Sequence, residues 1–297
     1  MEVKVTHSQP ESVVLITGAT DGIGRLVAAE FAARGATVLV HGRDAARCRA
    51  VVSWIQDLTG SFRVDHFVAD LASLNEVRRL AEQVSSRYPE LHVLVNNAGV
   101  GPGPDADGPR ELSADGHELR FAVNYLAPFL LTRLLLPALE RGAPSRVVLV
   151  ASAAQRAIHF HDIMLEQRHD RFEAYAQSKL ALVMFGMELA GRVRKRGITV
   201  NALHPGTLLD TKMVREAFGR PQGDPAEGAD AILYLATSPD LREVTGKYFD
   251  GKRLARAHPQ AGDLFARRRL WTRTEALTGL EPWSTPDPAP AHSSSGQ

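Results

Sequence analysis

The chain has 297 residues, 44% hydrophobic and 23% charged, with a formal net charge of +1 at pH 7. These proportions are those of a globular protein able to bury a sizeable core, and a balance so near zero supplies no field to draw in nucleic acid or an anionic membrane. A single cysteine, Cys48, excludes an internal disulfide framework and points to a reducing, cytoplasmic setting.

In chain order, residues 1–12 carry no basic segment followed by an apolar run, so no signal peptide or membrane anchor is expected. A β-branched run, "SVVLIT" (12–17), ends at Gly18, and "GRLVAAEFAARG" follows with helical spacing. Strands are expected at 36–42, 63–71 and 91–99, separated by helices over 44–58 and 74–88. After a Gly/Pro-rich loop comes a long helix, roughly 113–140. Its apolar stretch is interrupted by Arg133 and two prolines, too broken to span a bilayer. A strand at 145–152, a polar insertion, a helix carrying Tyr175, a strand at 197–206, a helix near 225–237 and a last strand at 246–251 complete the pattern. Apolar strands alternating with helices predict an α/β doubly wound parallel sheet covered on both faces. One domain is expected over 10–280, with 207–225 as a substrate lid. The Pro/Ala/Ser-rich residues 281–297 are expected to be a disordered tail.

Several stretches point to chemistry. The first strand runs into "TGATDGIGR", with Gly18, Gly22 and Gly24 spaced G-x-x-x-G-x-G around Thr20, Asp21 and Ile23. Glycine permits a sharp turn and close approach of a pyrophosphate, and the helix N-terminus favours its charge. The second strand ends "HGRD", placing Gly42 and Arg43 where NAD-selective folds put an acid. A guanidinium there suits a 2′-phosphate, with Arg25 as added charge, so NADP(H) is expected over NAD(H). Asp70-Leu71 ends the third strand, where the carboxylate either meets an adenine amine or belongs to a helix cap near Ser73. "NNAG" (96–99), including Asn97, ends the fourth. Asn124 lies inside the long helix, an odd place for a poor helix former, and Ser152 closes the fifth strand. Tyr175 and Lys179 stand about one helical turn apart on a shared face.

T-G-x-x-x-G-x-G (17–24), N-N-A-G (96–99), Asn124, Ser152, Y-x-x-x-K (175–179) and P-G (205–206) occur in one order. Together they resemble the short-chain dehydrogenase/reductase family over about residues 12 to 280. The resemblance implies a seven-stranded Rossmann sheet of order 3-2-1-4-5-6-7 and hydride transfer between NADP(H) and a small-molecule ketone, aldehyde or alcohol. It implies Tyr175 as acid/base and Lys179 binding the nicotinamide ribose while lowering the tyrosine pKa. Ser152 would hydrogen-bond the substrate oxygen, and Asn124 would hold a relay water. Thr207 or Thr211, after Pro205-Gly206, would reach the nicotinamide carboxamide; the usual P-G-x-x-x-T spacing is broken here. "ELSADGHELRFAVNYLAPFLLTRLLLPAL", the 23-residue Ser152-to-Tyr175 spacing and "LWTRTEALTGL" resemble the retinol-dehydrogenase-like branch, whose substrates are often lipophilic. Apolar surface on the helices 113–140 and 173–195, beyond what one sheet face covers, suggests a homodimer or homotetramer.

His159, His161, Asp162, His169 and Asp170 fit no common zinc spacing, and no metal is expected. "ARRRLWTR" (266–273) is read as a solvated helix face with Leu270 and Trp271 docking inward. Two other function classes stay open on the residues alone: a non-catalytic dinucleotide-binding sensor, and an epimerase with retained cofactor.

Overall fold

The computed structural model describes residues 12–105 and 108–283. Residues 10 and 11 of the expected domain, and 284–297 of the expected tail, lie outside the described residues. The chain alternates β1 (Val13–Ile16), α1 (Gly22–Ala33), β2 (Thr37–Gly42), α2 (Ala45–Thr59), β3 (Val64–Val68), α3 (Leu74–Arg87) and β4 (Val93–Asn96). Beyond β4 come α4 (Leu119–Phe121), a π-helical turn (Ala122–Leu126), α5 (Ala127–Arg141), β5 (Ser145–Val150), α6 (Arg171–Arg192) and β6 (Ile198–His204). The last elements are α7 (Lys212–Phe218), α8 (Pro225–Thr237), β7 (Tyr248–Asp250), β8 (Arg253–Ala255) and α9 (Leu264–Thr278).

The strands form one sheet in the order β3-β2-β1-β4-β5-β6-β7-β8. The expected seven strands are parallel in the expected order, but β8 adds an antiparallel edge to β7. Three residues, "RLA", mostly exposed, give no alternation from which a strand is read. The sheet is buried on both faces, which is why its central strands read as continuous apolar runs. Leu15, Leu39 and Leu94 pack on the side of α3, α5 and α6, while Val14, Ile16 and Val38 pack on the side of α1, α2 and α8.

The long helix starts later than expected. Ser113 N donates to His117 O at 2.8 Å, closing a small turn that delays the helix to Leu119. From Leu119 to Arg141 it runs 23 residues and is apolar enough to cross a membrane by length and composition. Its most apolar 18-residue window is 83% buried inside the fold, so its apolar side chains serve the core.

The outer apolar surface of α5 and α6 is covered within the chain. Trp271 of α9 stacks on Phe129 and Phe185, with ring centroids 5.0 and 6.0 Å apart. Its indole N–H donates to Glu275 Oε1 at 2.7 Å, and the same oxygen accepts from Arg133 Nη1 at 2.7 Å. Leu270 and Trp271 dock inward as expected. This belt covers apolar side chains of α5 and α6 within the chain itself. Replacing Trp271 by alanine should cost about 3–5 kcal/mol of stability, read as a lowered thermal midpoint.

Candidate active site

The site lies at the carboxyl ends of β1, β4, β5 and β6, beside the point where the sheet order reverses. Ligands of open α/β sheets bind in that crevice. Thr17 and Asn97 tie β1 to β4 there: Thr17 Oγ1 accepts from Asn97 N at 3.0 Å and Ala98 N at 3.1 Å. Asn97 Nδ2 donates to Thr17 O at 2.9 Å and Gly18 O at 3.1 Å. Gly18 takes a left-handed φ of 64°, and a Cβ on it would lie 2.8 Å from Ala98 Cα. A Cβ on Gly24 would lie 2.5 Å from both Asn97 Nδ2 and Gly18 O. Glycines are therefore enforced by backbone approach at both positions, and the cradle they leave at the start of α1 fits a pyrophosphate.

The other cofactor candidates divide into inward and rim groups. Ile23 and Leu71 pack into the core, and Thr20 lies against Gly42. Asp21 caps α1, accepting from Gly22 N at 2.8 Å, and pairs with Arg47 at 3.0 Å. Arg43 is exposed at the end of β2, and Arg25 turns onto the Trp54 ring at 4.7 Å. Asp70 Oδ1 accepts from Ala72 N at 2.9 Å, just before Ser73 caps α3. Arg47 escapes sequence reading because helix-surface arginines are common, although it follows Arg43 by one helical turn. His41 is also missed: Gly18 N donates to its Nδ1 at 3.3 Å, and Nε2 lies 3.1 Å from Ala69 O. Burial pulls its pKa down to about 4, so it is neutral and joins the ends of three strands.

Asn124, Ser152, Tyr175 and Lys179 are buried and converge. Asn124 sits in the π turn, where the helix widens. Its Oδ1 accepts from Val100 N at 2.7 Å, and its Nδ2 donates to Val100 O at 3.0 Å and Ser178 Oγ at 2.9 Å. Both amide hydrogens are therefore used, and one Oδ1 lone pair remains. A Cβ on Gly99 would meet Asn124 Oδ1 at 3.2 Å and Lys179 Nζ at 3.4 Å, so both side chains point at one spot.

Burial raises the Tyr175 pKa, and a hydrogen bond with the Ser152 side chain works against that rise. Lys179 Nζ donates to Val150 O at 2.9 Å and lies 5.8 Å from the Tyr175 ring centroid. Ser152 is thus the phenol's hydrogen-bonding neighbour, with the Lys179 ammonium on the same helix further from it. Burial brings Lys179 itself down to about 8.

Of the two threonines, Thr211 caps α7, its hydroxyl accepting from Val214 N. Thr207 Oγ1 lies 3.1 Å from His204 Nε2, at the end of β6. The His204 Nδ1 is buried without a partner among the described residues, and burial lowers its pKa, opposed by the Asp250 carboxylate and aided by Lys179. Above it, Met213 of α7 lies against Gly99 and Gly101, so α7 closes one side of the crevice.

A buried arginine escaped sequence reading altogether. Arg120 is 2% exposed and donates to Gly101 O, Pro102 O, Glu118 and Glu111 at 2.9–3.2 Å. With Asn124 on Val100, it pins residues 100–102 beside the site. A charged residue in "HELRF" reads as helix surface, and no local signal marks it as buried.

Residues 12–221 match the short chain dehydrogenase family. Retinol dehydrogenase 13 of Mus musculus is 39% identical, covering 97% of this chain and 87% of its own. Polyprenol dehydrogenase of Mus musculus is also 39% identical, over 93% of this chain and 86% of its own. A short chain dehydrogenase of Escherichia coli CFT073, solved with NADPH, shares the fold with a TM-score of 0.68 at 30% identity, covering 83% of this chain and all of that one. The chain belongs to the short-chain dehydrogenase/reductase family, in its retinol-dehydrogenase-like branch. It is an alcohol/carbonyl oxidoreductase that uses a nicotinamide cofactor.

Lys179 holds fewer protons folded than unfolded between about pH 8 and the ordinary lysine value. Its buried charge therefore costs stability below pH 8, and the cost is relieved as pH rises through that window. Lys179→Met should raise the thermal midpoint at pH 7, and the gain should shrink by pH 10.

Proposed function

We propose that the protein reduces a ketone or aldehyde with NADPH, or oxidises the matching alcohol with NADP+, on a lipophilic or secondary-metabolite substrate. The observation that carries this reading is the buried cluster of Ser152, Tyr175 and Lys179 beside the glycine cradle. The cofactor supplies the hydride. Ser152 orients the substrate oxygen, and Tyr175 gives that oxygen its proton or takes it back in the reverse direction. Lys179, close to Gly99, is placed for the ribose hydroxyls and adds positive charge that favours phenolate. Thr207, held by His204, is the threonine assigned to the carboxamide.

Preference for NADP(H) rests on Arg43, exposed at the end of β2, with Arg47 of α2 nearby and paired to Asp21 at the glycine loop. The NADPH bound to the Escherichia coli relative is consistent with it. A lipophilic substrate is supported by relatives named for retinol and polyprenol, and by the methionine that α7 lays over the crevice.

Two measurements test the reading. Tyr175→Phe should lower kcat for carbonyl reduction by about 10²–10⁴-fold while NADPH affinity, read by fluorescence titration, changes little; wild-type turnover in that variant would sink the mechanism. Arg43→Asp should weaken NADPH by about 10–100-fold and spare NADH; equal loss of both would return the preference to NAD(H).

A further inference from the structure

Ser152 lies past the end of β5, where no strand ladder orients it. Its carbonyl oxygen is nevertheless held twice by side chains. Tyr248 Oη, on β7, donates to it at 3.0 Å, and Gln155 Nε2 donates at 2.9 Å. A carbonyl offers two lone pairs, and both are filled. Gln155 is itself oriented, because its Oε1 accepts from His258 N at 2.9 Å. Ser152 Oγ is caught in the same turn, accepting from Ala154 N at 3.1 Å. Three bonds thus fix the serine's backbone and hydroxyl.

We propose that Tyr248 and Gln155 are positioning residues that hold Ser152 by its carbonyl, so that its hydroxyl meets Tyr175 and the substrate oxygen. The inference rests on the catalytic reading of Ser152 and Tyr175. The volume at position 248 asks only for an aromatic ring, since Tyr248 packs into the core beneath α6; phenylalanine would fill it. The hydroxyl is added at Ser152 O. With either donor removed, one lone pair is emptied and the 152–155 turn is free to rotate. The serine hydroxyl then leaves the phenol it stabilises.

The consequence can be read in the ionisation of Tyr175. The titratable groups beside it are Lys179 on its own helix and Tyr248 on β7; Asp250 acts on Tyr248 and His204, and Lys179 acts on His204, one step further out. Burial pushes Tyr248 up to about 12, so it is neutral near pH 7 and its replacement by phenylalanine removes no charge there. Gln155 has no ionisable group, so a shift of Tyr175 that both variants share passes through Ser152. Because the Ser152 bond lowers Tyr175, losing it raises Tyr175.

The test uses the full chain with Tyr248→Phe and Gln155→Leu. Tyrosinate absorbance is followed against pH, with and without NADP+, and the part lost in Tyr175→Phe is assigned to Tyr175. Both variants should move that part upward and lower kcat roughly tenfold, the scale of one lost hydrogen bond, with the KM for NADPH unchanged. An unchanged titration and unchanged kcat in both variants would overturn the proposal. If the wild type reduces no carbonyl, the catalytic reading fails, and the titration still decides whether these residues position Ser152. Should Tyr248→Phe fail to fold, Gln155→Leu decides alone.

Discussion

The tie between Thr17 and Asn97 is the constraint on which the rest of the site depends. β1 and β4 are far apart in sequence yet neighbours in the sheet. Their ends must be joined where the strand order reverses and the crevice opens. A hydroxyl and a carboxamide do this with short bonds to backbone on both sides. The price is space. With the two chains drawn together, Gly18 and Gly24 have no room for a Cβ. The glycine spacing is thus as much a result of this knot as a preparation for phosphate.

Burial acts on both ionisable partners at the centre. It disfavours phenolate on Tyr175 and ammonium on Lys179, so each group is displaced toward neutrality. A hydroxyl in contact and a cation somewhat further off then decide how much charge the phenol carries. This division makes the exact seat of Ser152 matter more than its distance along the chain from Tyr175 would suggest. The insertion between them leaves that seat intact because α6 is set independently, capped by Asp170 and packed beneath the sheet.

Most of the framework was legible because parallel strands buried on both faces declare themselves as apolar runs, and because turns at their ends need glycine. The places of β1 to β7 are of this kind, while their order came from the family resemblance. What stayed hidden depended on contacts distant in sequence. β8 has three residues and an open face, and its pairing is decided by β7. The late start of the long helix comes from a turn at Ser113 that competes locally with helix. Arg120 is buried only because loop carbonyls of Gly101 and Pro102 come to meet it. The four central residues of the site could be named from their pattern, whereas Tyr248, Gln155, His204 and Arg47 could not. Tyr248 and Arg47 act on partners distant in sequence, and Gln155 is oriented by the distant backbone of His258.

The belt formed by α9 has a bearing on how the molecule is made. Phe129 and Phe185 belong to helices that leave the ribosome well before Trp271 does. Until the later segment arrives, the sheet and its first helices can assemble with that aromatic face still open to solvent. Exposed apolar surface of this sort invites association with other nascent chains. During that interval, the arginines that flank it (Arg133 and Arg192, both later stacked on Trp271) are the charges available to keep the face in solution. The same side chains then turn from solubilising the unfinished chain to closing the finished one.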